Sequence, residues 1–160
     1  MSQALARTAR IPRLGRFGWL MALYAENHAR LTRLFAPDRL AVGIYVSSIG
    51  DGLDLRLEVI ETHRYTVELR LTYDIYDPLT GEPDPSAFVR LYRDAHQAEA
   101  THCYVGKRWQ DVIGLYPPPA EVISHRMRMN TFLGKWLEYL GEQGHGVATL
   151  RPAGVARDVA

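Results

Sequence analysis

Two stretches of the chain, Leu53 to Ile60 and Arg64 to Tyr76, alternate apolar and polar residues almost without error. Successive side chains leave a pleated backbone on opposite sides, so a period of two is the pattern of a strand with one buried and one wetted face. Leu55, Leu57 and Val59 share the first face with Val67, Leu69 and Leu71, while Asp54, Arg56, Glu58, Glu68, Arg70 and Asp74 share the second. A helix would scatter these apolar residues around its circumference. The centre of the chain is therefore committed to an antiparallel hairpin that lays one face on a core.

A chain of 160 residues is long enough for one such core and short for two. With 47% hydrophobic and 23% charged residues it is neither disordered nor fibrous. Lys and Arg number 19 against 18 Asp and Glu, a balance that sets up no general field for nucleic acid. Arg7, Arg10, Arg13 and Arg16 make the opening segment locally basic, and Pro12 and Gly15 break it, so residues 1–16 read as a flexible solvated tail. The single cysteine, Cys103, has no disulfide partner within the chain, which fits a reducing cytoplasm. No apolar run reaches the length of a membrane span, so no membrane partner is expected.

From Phe17 to Phe35 the residues Leu20, Leu23, Tyr24, Leu31, Leu34 and Phe35 fall on one helical stripe that Pro37 ends. Asn27 interrupts the stripe, as a buried polar anchor or as a residue facing a site. A first strand is expected from Val42 to Ser47, turned by Gly50-Asp51-Gly52 into the central hairpin. Residues 77–85 carry three prolines and a glycine and read as a surface loop. Phe88 to Arg93 and Gln97 to Tyr104 form a second hairpin, and Pro117-Pro118-Pro119 a stiff spacer. Met129, Phe132, Leu133, Trp136, Leu137 and Leu140 mark a closing helix, stopped by Gly141 and Gly144. Residues 145–160 read as a second flexible tail.

The charged face bears on strand register. Pairing Arg56 with Glu68 and Asp54 with Arg70 matches opposite charges around a Glu61-Thr62-His63 loop, whereas the next allowed register opposes Arg56 to Arg70 and Glu58 to Glu68. The first is expected. In the second hairpin, Arg90 opposite Glu99 leaves a tight Asp94-Ala95 turn, and a four-residue loop with the register moved by two is the alternative.

A meander brings the loop at Glu61 to His63 and the turn at Asp94-Ala95 to the same end of the sheet. Candidate ligand-binding residues there are His63, Arg64, Tyr65, Arg90, Tyr92, Arg93, Asp94 and His96, a set with carboxylate and imidazole for proton transfer and guanidinium for anions. No phosphate loop, dinucleotide glycine fingerprint or serine elbow occurs. The six histidines lack the short spacings of a zinc site, so neither cofactor nor metal is expected.

Several segments, in order, carry a family resemblance: Glu26-x-x-x-x-Leu31-x-Arg33-Leu34, Arg64-Tyr65-Thr66, Val89-Arg90-Leu91-Tyr92 with Asp94-Ala95, Tyr116-Pro117, and Asn130-x-Phe132-Leu133-x-x-Trp136-Leu137. Together they resemble the bacterial YqiB family, a domain of unknown function, and imply no activity or site residues. The expectation is one α+β domain over residues 17–144: an antiparallel sheet of about five strands in meander order, packed on one face by an N-terminal and a C-terminal helix. Its expected role is non-enzymatic binding or regulation, with a small anionic metabolite or a protein as partner. The alternative is a small enzyme acting at the turn end on a phosphorylated or carboxylated, nucleotide-like metabolite, with Arg64 and Arg93 as anion clamps and His63, His96 or Asp94 as acid or base.

Overall fold

The computed structural model describes residues 15–50, 53–73, 78–79, 81, 85–105, 107–108 and 118–153. The basic segment through Arg13, the expected strand end at Asp74 to Tyr76, most of the proline-rich loop, Tyr116-Pro117 and the last residues from Gly154 lie outside them. The chain opens with helix α1 (Arg16–Phe35), continues through strands β1 (Gly43–Ser47), β2 (Leu55–Thr62), β3 (Thr66–Tyr73), β4 (Ser86–Tyr92), β5 (Gln97–Val105) and β6 (Lys107–Arg108), and closes with helix α2 (Pro119–Gln143) and strand β7 (Leu150–Pro152). The strands form one antiparallel sheet in the order β6-β5-β4-β3-β2-β1-β7. The expected α+β meander is thus the observed fold. The five long strands are its body, and two short ones extend its edges.

Helix α1 ends where Ala36 turns left-handed (φ 44) and Pro37 follows. Helix α2 begins ten residues before its apolar stripe, with Pro118 as N-cap and Pro119 in the first turn, so the proline run is in part a helix start. Gly144 closes it in the left-handed conformation (φ 101), donating its N–H to Leu140 and Gly141. Both helices pack against β5 and against each other. Leu31, Phe35, Leu57, Leu69, Val89, Leu133 and Leu137 are buried in the core between helices and sheet. Each such side chain contributes roughly 1.5 to 3 kcal/mol relative to exposure.

The first hairpin differs from expectation. Leu57 faces Leu71, Val59 faces Leu69 and Glu58 faces Arg70, Ile60 is taken up in a bulge, and the loop is His63-Arg64-Tyr65. Charge matching discriminates between only two registers. The bulge admits a third, which opposes apolar residue to apolar residue and still matches one charge pair. Arg56 consequently faces Thr72, and Glu68 finds its cation across the other ladder, in Arg90 at 2.5 Å. Glu61 and Glu68 oppose each other past the bulge, and Glu61 turns to His63 at 3.0 Å. In the second hairpin Arg90 does face Glu99, but the connection is the four residues Arg93 to His96, with His96 left-handed (φ 51).

Two polar assemblies tie the layers together. Asn27, fully buried on α1, donates to the Asn130 carbonyl of α2 at 2.9 Å and accepts from Arg30 at 3.2 Å. It is the structural anchor of the two readings. The Asn130 side chain in turn accepts the Ala100 N–H of β5 at 2.7 Å and donates to the Arg126 carbonyl at 2.8 Å. A backbone donor on β5 that no strand pairs is satisfied this way, which also covers that part of the edge. Gly134 makes room: a Cβ there would lie 2.8 Å from Arg30 Nη1 and 2.9 Å from Asn27 Oδ1.

At the other edge the chain after Gly144 departs from the expected tail. His145 Nδ1 and Thr149 Oγ1 each lie 2.6 Å from the buried Ser47 Oγ. Beyond them β7 pairs Val46 with Arg151, and the Ala153 N–H donates to Ile44 at 2.8 Å. Buried polar contacts and an unpaired edge on β1 give this segment a place that hydropathy alone does not reveal.

Candidate functional site

The turn end of the sheet assembles as the meander requires. The Arg93 N–H donates to the Tyr65 carbonyl at 2.8 Å, joining loop 63–65 to loop 93–96. The side chains gathered there are mostly turned to solvent or to near neighbours. His63 Nε2 lies 3.0 Å from Glu61 with both groups exposed. The Arg64 guanidinium sits 5.2 Å over the ring of the half-exposed Tyr65. Asp94 accepts the N–H of Ala95 at 3.0 Å. His96 stacks on His28 of α1, with ring centroids 5.2 Å apart. Arg93 reaches the Asp38 carbonyl at 3.4 Å, and its Nε is buried without a hydrogen-bond partner.

Two of the eight candidates, Arg90 and Tyr92, point elsewhere. Tyr92 lines a cleft of about 720 Å³ between β4–β5 and the N-terminal halves of α1 and α2. Its walls are largely apolar: Phe17, Leu20 and Met21 from α1, and Pro119, Val122 and Ile123 from α2. At one side of this cleft stands Glu99, whose side chain keeps only 14% of its exposure. Burying a carboxylate costs several kcal/mol unless hydrogen bonds replace water, and here they do. The Tyr92 hydroxyl donates to Glu99 Oε1 at 2.6 Å, and Tyr24 of α1 lines the same cleft. Arg126 Nη1 of α2 stands 3.9 Å from Glu99 Oε2, beyond a good hydrogen bond. Behind Tyr92, Arg90 pairs with Glu68 and continues the chain of polar contacts onto the open face of the sheet.

The electrostatics follow from this packing. Tyr24 and Tyr92 are pushed above the usual phenol range, first by burial and next by Glu99, through its charge at Tyr24 and its hydrogen bond at Tyr92, with Arg126 and Arg90 respectively pulling back. Hydrogen bonding to Glu68, then to Tyr92, holds Arg90 more firmly protonated than usual. Both tyrosines therefore stay neutral at neutral pH, and the Tyr92 hydroxyl proton is committed to Glu99.

The cysteine thiol and the serine beside a histidine lie elsewhere and are closed off. Burial pushes the Cys103 thiol up to about 12, and Ser47 beside His145 is fully buried. Among the described residues no three His, Cys, Asp or Glu side chains cluster as metal ligands would, and no helix is long and apolar enough to cross a membrane. Sequence reasoning missed Glu99, Arg126 and Tyr24 as site residues. Tyr24 reads as one more apolar stripe position and Glu99 as the partner of Arg90, and no motif joins three segments so far apart.

A family described as protein of unknown function (DUF1249) matches residues 30–146, from the second half of α1 to just past the end of α2. The chain belongs to this family. The DUF1249 match spans strands β1 to β6 together with Asn130, Glu99, Tyr92 and Arg126, while Phe17, Leu20, Met21 and Tyr24 precede it and β7 follows it. No curated protein and no solved structure matches the chain.

Proposed function

We propose that this DUF1249 protein is a non-enzymatic ligand-binding domain whose site is the cleft between β4–β5 and the two helices. The observation that carries the reading is Glu99: a largely buried carboxylate held by the Tyr92 hydroxyl beside apolar walls. An apolar recess with a few fixed polar groups is the common build of a small-molecule site, the walls supplying affinity and the polar atoms orientation. Binding rather than catalysis is favoured because the Tyr92 proton is committed to Glu99, and because Cys103 and Ser47 are buried away from the cleft. Of the turn-end residues only Tyr92, backed by Arg90, belongs to this site; His63 and Arg64 are engaged with Glu61 and Tyr65. A lone buried cysteine and near-balanced charge support a cytoplasmic setting, and the YqiB-like residues a bacterial one.

The test is a thermal-shift screen of small molecules on the wild type and on Val122→Trp, which places a bulky ring on the apolar wall of the cleft. Compounds that raise Tm in the wild type are expected to lose that effect in the variant. Stabilisation that persists in Val122→Trp, or a screen in which nothing stabilises the wild type, overturns the assignment.

A further inference from the structure

The ligand class follows from the charges at the cleft. Glu99 and Arg126 carry opposite unit charges, yet Oε2 and Nη1 stand 3.9 Å apart, too far for a good hydrogen bond and near enough that each feels whatever meets the other. Oε1 is taken by Tyr92, and the Arg126 side chain is 52% exposed, so the guanidinium keeps donors for another partner. Gln97 adds an amide on the same wall, its nitrogen 3.9 Å from the sulfur of Met21.

A headgroup with net charge meets one favourable and one unfavourable charge here, and the two largely cancel. A cation must displace Arg126 from its place beside Glu99. An anion must approach a carboxylate already short of water. A neutral group with a donor and an acceptor side by side meets no like charge. It donates to Glu99 and accepts from Arg126, bridging the two from the cleft side. We infer that the cleft takes a neutral molecule with an apolar body and an amide-like headgroup, bridging Glu99 and Arg126 while the body lies on Leu20 and Val122. This rests on the cleft being the binding site.

One set of probes with the same body tests it: 3-phenylpropanamide, 3-phenylpropanoate and 3-phenylpropylammonium, titrated at neutral pH into ¹⁵N-labelled full-length protein. Each ion keeps one charged partner and meets one like charge, whereas the amide bonds to both groups, so it is expected to bind about tenfold more tightly than either ion. Its shift changes should centre on the amides of Tyr24, Tyr92, Gln97 and Arg126. Glu99→Gln removes the negative charge from a near-isosteric side chain and should turn the preference toward the propanoate. Arg126→Gln, at a side chain that is half exposed, should turn it toward the ammonium. If either ion binds the wild type as tightly as the amide, the headgroup inference fails and the cleft reading stands. If none of the three perturbs the cleft, the cleft reading fails and takes this inference with it.

Discussion

The β4–β5 hairpin contributes to two regions that are built on opposite terms. At its turn, Arg93 meets the loop 63–65, Asp94 caps its own turn, and the charged groups of both loops stand mostly near water. Along its strands, Tyr92, Gln97 and Glu99 meet both helices, and the polar groups are held against apolar walls. Exposed charges are individually cheap to keep and to lose, because water replaces each partner. Half-buried ones are not, because a lost partner leaves a desolvated atom behind. A site that must hold a fixed geometry is better served by the second construction.

The largest effect that separates the regions is expected from Asn130→Ala. Asn130 is fully buried and ties the cleft wall α2 to the backbone of β5, through the Ala100 N–H at 2.7 Å and the Arg126 carbonyl at 2.8 Å. Alanine leaves that N–H without a partner and opens a small cavity, a loss of about 3 kcal/mol. Chemical denaturation should report it as a lower midpoint at unchanged slope. A cost below about 1 kcal/mol would mean that apolar packing alone holds the cleft and that its polar frame is incidental.

How far each region is legible in the sequence follows from the same contrast. Strand alternation, the helical stripes, the stops at Pro37 and Gly144 and the Arg90–Glu99 pairing are local or near-local patterns, and each is present in the fold. The turn end was legible for that reason, since a meander fixes which loops share an end. The first hairpin's register was missed because a bulge at Ile60 adds a residue that no periodicity announces. The cleft was not legible because Tyr24, Glu99 and Arg126 meet only once two helices have packed over β5. The place of His145 and Thr149 depends in the same way on Ser47, which is nearly a hundred residues earlier in the chain.

The two regions should also fail at opposite ends of the pH scale. Burial, and then the neighbouring His96, hold His28 below the usual imidazole range, with Asp38 opposing. The unfolded chain takes up a proton near pH 6.5 that the native state refuses, so this stability is present above about 6.5 and is lost as pH falls through the native value. His125 and His145 are lowered by burial too, so the turn end's share is isolated by comparing the wild type with His28→Gln. The variant should lose stability less steeply between about pH 6.5 and 5. At the cleft the signs reverse. Tyr24 and Tyr92 are raised, so their contribution is intact below about pH 10 and is lost as pH rises through the native values. Tyr24→Phe should flatten that alkaline fall and leave the acid limb unchanged. An acid limb unaltered in His28→Gln would remove the stacked histidine pair from the account.

The smallest effect is expected where the sequence draws the eye first. Arg64→Ala removes a guanidinium that stacks 5.2 Å over an exposed ring, and His63→Ala removes an imidazole whose contact with Glu61 lies in water. An exposed cation–π contact contributes about 0.5 to 1 kcal/mol and an exposed ion pair less, so each variant should stay within about 1 kcal/mol of the wild type in denaturation. Neither should change the affinity of any compound that the cleft binds. Affinity that fell in Arg64→Ala while Val122→Trp left it intact would move the site from the cleft to the turn end. The guanidinium would then be held for a ligand rather than spent on Tyr65, and the comparison between the two regions would invert.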